Sequence, residues 1–169
     1  MRRILDAIQL WQASGRGCRS GSVVLRAGAG SEPVGATLTC QRPSIPQSQL
    51  IQPDELNQLL HARGAEKPLI LQVGSHVLFA QAHIAGSEYA GPGSQDAGLQ
   101  QLRARVGPLP RKTLIVIYCG CCPWNRCPNM GPAYKALTDL GFTRVKALYL
   151  ADNLGADWAD KGFPVETGR

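Results

Sequence analysis

No run of this chain approaches the ~18–20 uninterrupted apolar residues that a helix needs to cross a bilayer, although 44% of its 169 residues are hydrophobic. A membrane partner is therefore not expected. Aromatic residues are scarce at 6%, and no segment interleaves them with basic residues as a groove for single-stranded nucleic acid does. Acidic residues are almost missing from residues 1–44, where Arg2, Arg3, Arg16, Arg19, Arg26 and Arg42 face only Asp6 and Glu32. Most of the net charge of +6 sits there, because residues 45–169 carry twelve Lys and Arg against ten Asp and Glu. So balanced a body lacks the basic footprint of a nucleic-acid binder, and no nucleic acid is expected as a partner.

Residues 1–44 also lack apolar runs and are rich in Gly, Ser and Arg. Such a composition cannot bury enough surface to offset its ordering entropy, which predicts a disordered or targeting segment. Ile4–Trp11 has the pattern of a short helix, but Asp6 and Gln9 interrupt its apolar stretch and make it a poor signal peptide. A cytoplasmic address is preferred, with exported and organellar ones left open. The remaining 45–169 suffice for one compact domain.

Cysteine is absent from that domain except in one place. Cys18 and Cys40 lie in the N-terminal segment, while Cys119, Cys121, Cys122 and Cys127 crowd into nine residues. A disulfide framework would spread its cysteines to staple distant segments. Four in one loop point to chemistry or a metal instead.

Gln49–Ile51 reads as a short edge strand, followed by a helix that opens at Pro53, buries Leu56, Leu59 and Leu60, and stops by Gly64. Leu69–Val73 is a short apolar run between Pro68 and Gly74 and reads as a buried strand. Ser75 is placed to cap a brief helix through Phe79 to Ala82. Gly91-Pro92-Gly93 is a loop, and Leu99, Leu102 and Val106 recur at helical spacing. Leu114–Tyr118 is the clearest strand. Asn129 is an N-cap candidate for a helix that tolerates Pro132 in its first turn, buries Ala133, Leu137 and Leu140, and closes at Gly141. Val145–Leu150 is another strand, and Leu154 and Trp158 suggest a final helix to Gly162. Strands alternating with helices predict an α/β fold, a mostly parallel sheet of about five strands with helices on both faces. Ligands in such sheets bind beyond the carboxyl ends of the strands. Cys119 stands at such an end.

The loop reads Tyr118-Cys119-Gly120-Cys121-Cys122-Pro123-Trp124-Asn125-Arg126-Cys127-Pro128-Asn129. A helix N-terminus facing Cys119 favours the thiolate, the reactive form. Gly120 can adopt a backbone geometry that turns amides toward the sulfur. Arg126 offers positive charge to an oxyanion, and Trp124 is placed to line a pocket. A phosphatase of the cysteine type needs Cys, five residues, then Arg; counting back from Arg126 lands on Gly120, so that activity is rejected.

The order of motifs resembles the rhodanese family. Tyr118-Cys119 follows a strand and precedes a helix that ends in Leu140-Gly141-Phe142. Ala82-His83-Ile84-Ala85-Gly86-Ser87 is similar to the family's Gly-His-Ile-Pro-Gly-Ala, and Trp158 with Lys161-Gly162-Phe163-Pro164-Val165 to its closing Trp and Gly-Tyr/Phe-Pro-Val. The resemblance implies a sulfurtransferase that moves sulfane sulfur through a persulfide on Cys119, cradled by backbone amides between Gly120 and Asn129. It implies that His83 shapes a turn, while the spacing of Trp158 places it in the core. It implies a small sulfur donor such as thiosulfate and a thiol acceptor, a thioredoxin-like protein among the candidates, and no cofactor. The loop departs from the family, whose Arg would fall at Asn129. Gln72-Val73-Gly74 stands where the family has Asp-Val-Arg. The carrier can therefore have shifted to Cys121 or Cys122.

Three roles remain open for the surplus thiols. Cys121, Cys122 or Cys127 can accept sulfur or resolve a persulfide as a disulfide. Cys119-Gly120-Cys121-Cys122 is formally a Cys-x-x-Cys redox site, although a thioredoxin fold would place Pro128 inside a helix at a cost of about 3 kcal/mol. Four thiolates can also hold zinc or another soft metal, which would make the chain a non-catalytic module.

Overall fold

The computed structural model describes residues 43–64 and 66–168. The expected Ile4–Trp11 helix, Cys18, Cys40 and nearly all of the 1–44 segment lie outside them.

Apolar strands this short are stable only when both faces are covered, and the chain meets that need with a five-stranded sheet. Its strands are β1 (Leu50–Ile51), β2 (Leu69–Gln72), β4 (Glu88–Tyr89), β5 (Ile115–Tyr118) and β6 (Val145–Leu148), in the order β1-β6-β5-β2-β4. All four pairings are parallel rather than mostly so. Two further strands, β3 (His83–Ile84) and β7 (Val165–Glu166), form a separate antiparallel ribbon that ties the end of the domain to its middle. Both edges of the main sheet, β1 and β4, are two residues long.

The helices divide between the faces. Leu102 and Val106 of α3 (Asp96–Val106) pack with Met130, Ala133 and Leu137 of α4 (Met130–Asp139) on one side. Leu56 of α1 (Pro53–His61) packs with Leu154 and Trp158 on the other. Because side chains alternate along a strand, Ile115 and Ile117 enter the first core and Val116 and Tyr118 the second. The same alternation turns Cys119, the next residue, toward α4.

Local signals explain the element ends. Pro53 opens α1, and Glu55 accepts the Gln52 N–H at 2.7 Å, satisfying a donor that the helix leaves unpaired. Gly141 ends α4 with φ +84°, in the left-handed region that favours glycine. The short α2 (His76–Gln81) begins after Ser75, whose side chain makes no capping bond. The final helix expected around Leu154 and Trp158 is instead a five-residue π-helical turn, Gly155–Ala159. Trp158 is fully buried in it and donates its indole N–H to Pro164 O at 2.9 Å, so one large side chain anchors a turn too short to be a full helix.

Tyr118 links sheet and ribbon. Its hydroxyl, in a fully buried side chain, accepts the Ile84 N–H at 3.1 Å and lies 2.9 Å from Ser87 Oγ. Burial raises its pKa, so the phenol stays neutral and both bonds persist at physiological pH. Tyr118→Phe strands two polar groups and is expected to cost about 1–3 kcal/mol, read as a lower urea midpoint with an unchanged slope; an unaltered midpoint would contradict this reading.

Candidate functional site

Chain direction across the sheet reverses between β2 and β5. From β2 the chain proceeds through α2 and β3 to β4 on one side, and from β5 through α4 to β6 on the other. The carboxyl ends of two such strands leave a crevice between their diverging connections. Val73-Gly74 and Cys119-Gly120 meet there, and the Val73 N–H is bonded to Tyr118 O at 2.8 Å.

The two ends touch closely. A Cβ on Gly74 would lie 2.7 Å from Cys119 O and 2.9 Å from Cys119 Sγ. Gln72, 2% exposed, donates from Nε2 to Cys119 O at 3.0 Å and accepts the Gly74 N–H on Oε1 at 3.1 Å. One amide side chain thus clamps both loops, and the glycine makes room for the thiol. Gln72-Val73-Gly74 thus supplies a neutral clamp and leaves no space for a side chain at position 74. The sequence showed Gln72 only as a departure. A polar residue ending an apolar strand was the available signal.

Gly120 has φ +76° and bends the chain back, its carbonyl accepting Leu154 N–H at 3.1 Å. The bend gathers the thiols. Cys119 Sγ lies 2.9 Å from Cys121 Sγ and 3.9 Å from Cys122 Sγ, and Cys121 and Cys122 are 3.5 Å apart. Cys119, Cys121 and Cys127 are buried and Cys122 is half-buried. Asn129 Nδ2 donates to Cys119 Sγ at 3.3 Å while its Oδ1 accepts the Ser94 N–H at 3.0 Å. Asn129 precedes α4 but caps nothing with its side chain; the amide serves the thiol instead.

Three of the amides expected to cradle the outer sulfur of a persulfide are already used elsewhere. No N–H from Gly120 to Asn129 bonds to Cys119 Sγ, and those of Trp124, Arg126 and Cys127 are committed to Ala151 O, Pro123 O and Trp124 O. Arg126 and Asn125, expected near the sulfur, are exposed on the short 3-10 turn Trp124–Arg126, and no hydrogen bond joins either to a thiol. Trp124 is buried, its ring 5.4 Å from that of Tyr149, and lines a hollow with Cys119, Cys122 and Cys127. The void there, and the one on the Gln72 side, each amount to about 10 Å³, space for one water. His83 is buried away from the thiols, stacked on Phe79 at 3.9 Å and bonded through Nδ1 to Phe79 O at 2.8 Å.

Among the described residues, no cation contacts this cluster, so the thiols tune one another. Cys121 is held well below the usual thiol range, first by its bond to Cys119, then by that to Cys122, with a backbone bond from Ser75 assisting. The Cys122 thiol is pushed up by Cys119 and Cys121, and both keep it protonated. Cys127 is raised to about 12, first by the neighbouring Cys119 and then by burial, against an opposing influence of Cys122. One negative charge shared among sulfur donors fits a site without arginine.

These shifts have opposite signs in stability. Cys121, depressed by folding, contributes stability above the ordinary thiol pKa of about 8.5 that is lost as pH falls below it. Cys127, raised by folding, contributes stability below that value that is lost as pH rises toward about 12. Alkaline unfolding of the reduced protein is therefore expected to steepen between those limits and to flatten in Cys127→Ala; equal slopes in urea titrations at several pH values would refute the assignment. Gln72→Leu removes both clamp bonds and is expected to destabilise the fold by about 1–3 kcal/mol while raising the alkylation rate of Cys119, followed by peptide mapping.

No protein-family model matches the chain, and no curated protein matches it. Solved structures do. The rhodanese-like domain of the Alr3790 protein from Anabaena sp., determined in solution, is 21% identical over 70% of this chain and 79% of its own, with a TM-score of 0.54. A crystal structure of the Alr3790 protein is 23% identical over 69% and 82%, with a TM-score of 0.53. The BH2092 protein from Bacillus halodurans is 22% identical over 71% and 77%, with a TM-score of 0.55. Likeness at this level is likeness of fold, and together with the sheet order and the switch point it identifies the fold of the described residues as rhodanese-like.

Proposed function

We propose that this chain is a sulfurtransferase that carries sulfane sulfur as a persulfide on Cys119. The observation that carries the reading is the placement of Cys119 Sγ at the β2–β5 crevice, 3.3 Å from the Asn129 amide and 2.9 Å from a second thiol. Cys119 Sγ attacks the outer sulfur of a small donor as its proton passes to Cys121 Sγ, 2.9 Å away. The donor's S–S bond breaks, and its leaving group departs with the electron pair, as sulfite from thiosulfate. Asn129 Nδ2 donates to the attacking sulfur, and Gln72 fixes the carbonyl of the same residue, so the nucleophile needs little reorganisation. A void the size of one water favours compact donors over peptides. The acceptor is a thiol, with a thioredoxin-like protein as one source.

A second reading rests on three sulfur atoms lying within 4.8 Å of one another, a grouping able to bind a soft metal. Tetrahedral zinc, with Zn–S near 2.3 Å, sets its sulfurs about 3.8 Å apart. The Cys119–Cys122 distance of 3.9 Å suits that, but Cys119–Cys121 at 2.9 Å falls well short. The sulfur-carrier reading therefore ranks first.

The test is intact mass after incubation of reduced protein with thiosulfate or polysulfide. An adduct of about 32 Da, one sulfur, is expected on Cys119 in samples acid-quenched at the earliest times. Cys119→Ser is expected to lower cyanide- or thiol-dependent sulfur release by about a thousandfold or more. Retained turnover in that variant, or stoichiometric zinc or iron in protein purified under reducing conditions, would overturn the reading.

A further inference from the structure

The persulfide just proposed has an inner sulfur, Cys119 Sγ, and the neighbour touching that atom is another thiol. Cys121 Sγ stands 2.9 Å from it, whereas Cys122 Sγ is 3.9 Å away. The left-handed Gly120 between them, φ +76°, folds the chain so that residues two apart present their side chains to each other. Both residues are nearly sealed, 4% and 7% exposed. A thiol from outside must shift the loop to reach the inner sulfur, whereas Cys121 already touches it. A nucleophile already inside reacts as if at very high local concentration, which an external thiol cannot match.

We propose that Cys121 is the resolving thiol: it attacks the inner sulfur of the Cys119 persulfide, closing a Cys119–Cys121 disulfide and expelling the outer sulfur as hydrosulfide. This rests on the sulfur-carrier reading and deepens it by naming product and partner class. The Cys121 sulfur forms a bond to Cys119 Sγ, and the Sγ–S bond to the outer sulfur breaks. The outer sulfur leaves with that electron pair and takes up the proton of Cys121. The sulfane sulfur is reduced by two electrons, and the two cysteines are oxidised by two. Return to the dithiol needs two electrons and two protons from a dithiol reductant, which attacks the disulfide and leaves as its own disulfide. The partner at this step is thus a protein or small-molecule dithiol. It enters beside Cys122, the half-buried thiol of the three. A ring closed across one intervening residue constrains the chain little, which suits a bond that must open each cycle.

The test uses reduced full-length chain under anaerobic conditions with thiosulfate, then with a low-molecular-weight persulfide as second donor. In the unaltered protein one equivalent of sulfide is expected per chain, with a mass loss of about 2 Da and a peptide joining Cys119 to Cys121. Cys121→Ser and Cys121→Ala, both checked for an intact thermal transition, are expected to stop short, holding about 32 Da on Cys119 and releasing sulfide only when dithiothreitol is added. A stable adduct on Cys119 in the unaltered protein, without sulfide, overturns this inference and leaves the carrier reading standing. So does a disulfide to Cys122 or Cys127, or undiminished sulfide release from both Cys121 variants. Neither adduct nor sulfide, from any variant with either donor, sinks both.

Discussion

The contact between the ends of β2 and β5 governs everything near the thiols. Two strands whose connections run opposite ways must leave a gap, and the chain fills it with backbone. Cys119 lies so close to residue 74 that a side chain there would overlap its carbonyl and its sulfur. Gln72 then ties the two ends through one amide, buried and bonded on both sides. A buried polar group is costly unless satisfied; here both its donor and its acceptor are used. The result is a thiol whose backbone is held from beneath.

The cysteine loop above that floor obeys a different logic. Sites that stabilise a thiolate commonly do so with a cation or a ring of amides. Here the amides of Arg126 and Cys127 are spent on the loop's own turn and that of Trp124 on Ala151 O, and Arg126 faces water. What remains near Cys119 is one side-chain amide and two other sulfurs. Polarizable, weakly hydrated sulfur tolerates this better than oxygen would, and it makes the state of each thiol a property of the group.

Much of the architecture was legible because it depends on patterns that neighbouring residues share. Ile115–Tyr118 is three β-branched residues and a tyrosine, followed by Cys119-Gly120, so its identity as a buried strand needed no tertiary information. Alternating strands and helices implied parallel pairing, while the strand order that places the switch point came from the structure. The site was only partly legible, for a physical reason: its key contacts join residues far apart in the chain. Gln72 meets Cys119 across 47 positions and Ser94 meets Asn129 across 35, separations over which local propensity carries no signal. Arg126 and Asn129 show the same limit. Spacing placed both near the sulfur, and only the turn of the loop put one in water and the other on the thiol. The last helix was overestimated because Leu154 and Trp158 share a face in either a helix or a single wide turn.

The brevity of the outermost strands has its own consequence. β1 and β4 offer two residues each, and Glu88 in β4 is engaged by Arg105 at 2.8 Å. An exposed border of a sheet is a template on which a foreign chain can add itself. So few free amides and carbonyls, one of the two borders also guarded by an ion pair, offer such a visitor almost no ladder to climb. The sheet thus resists stacking with its own kind.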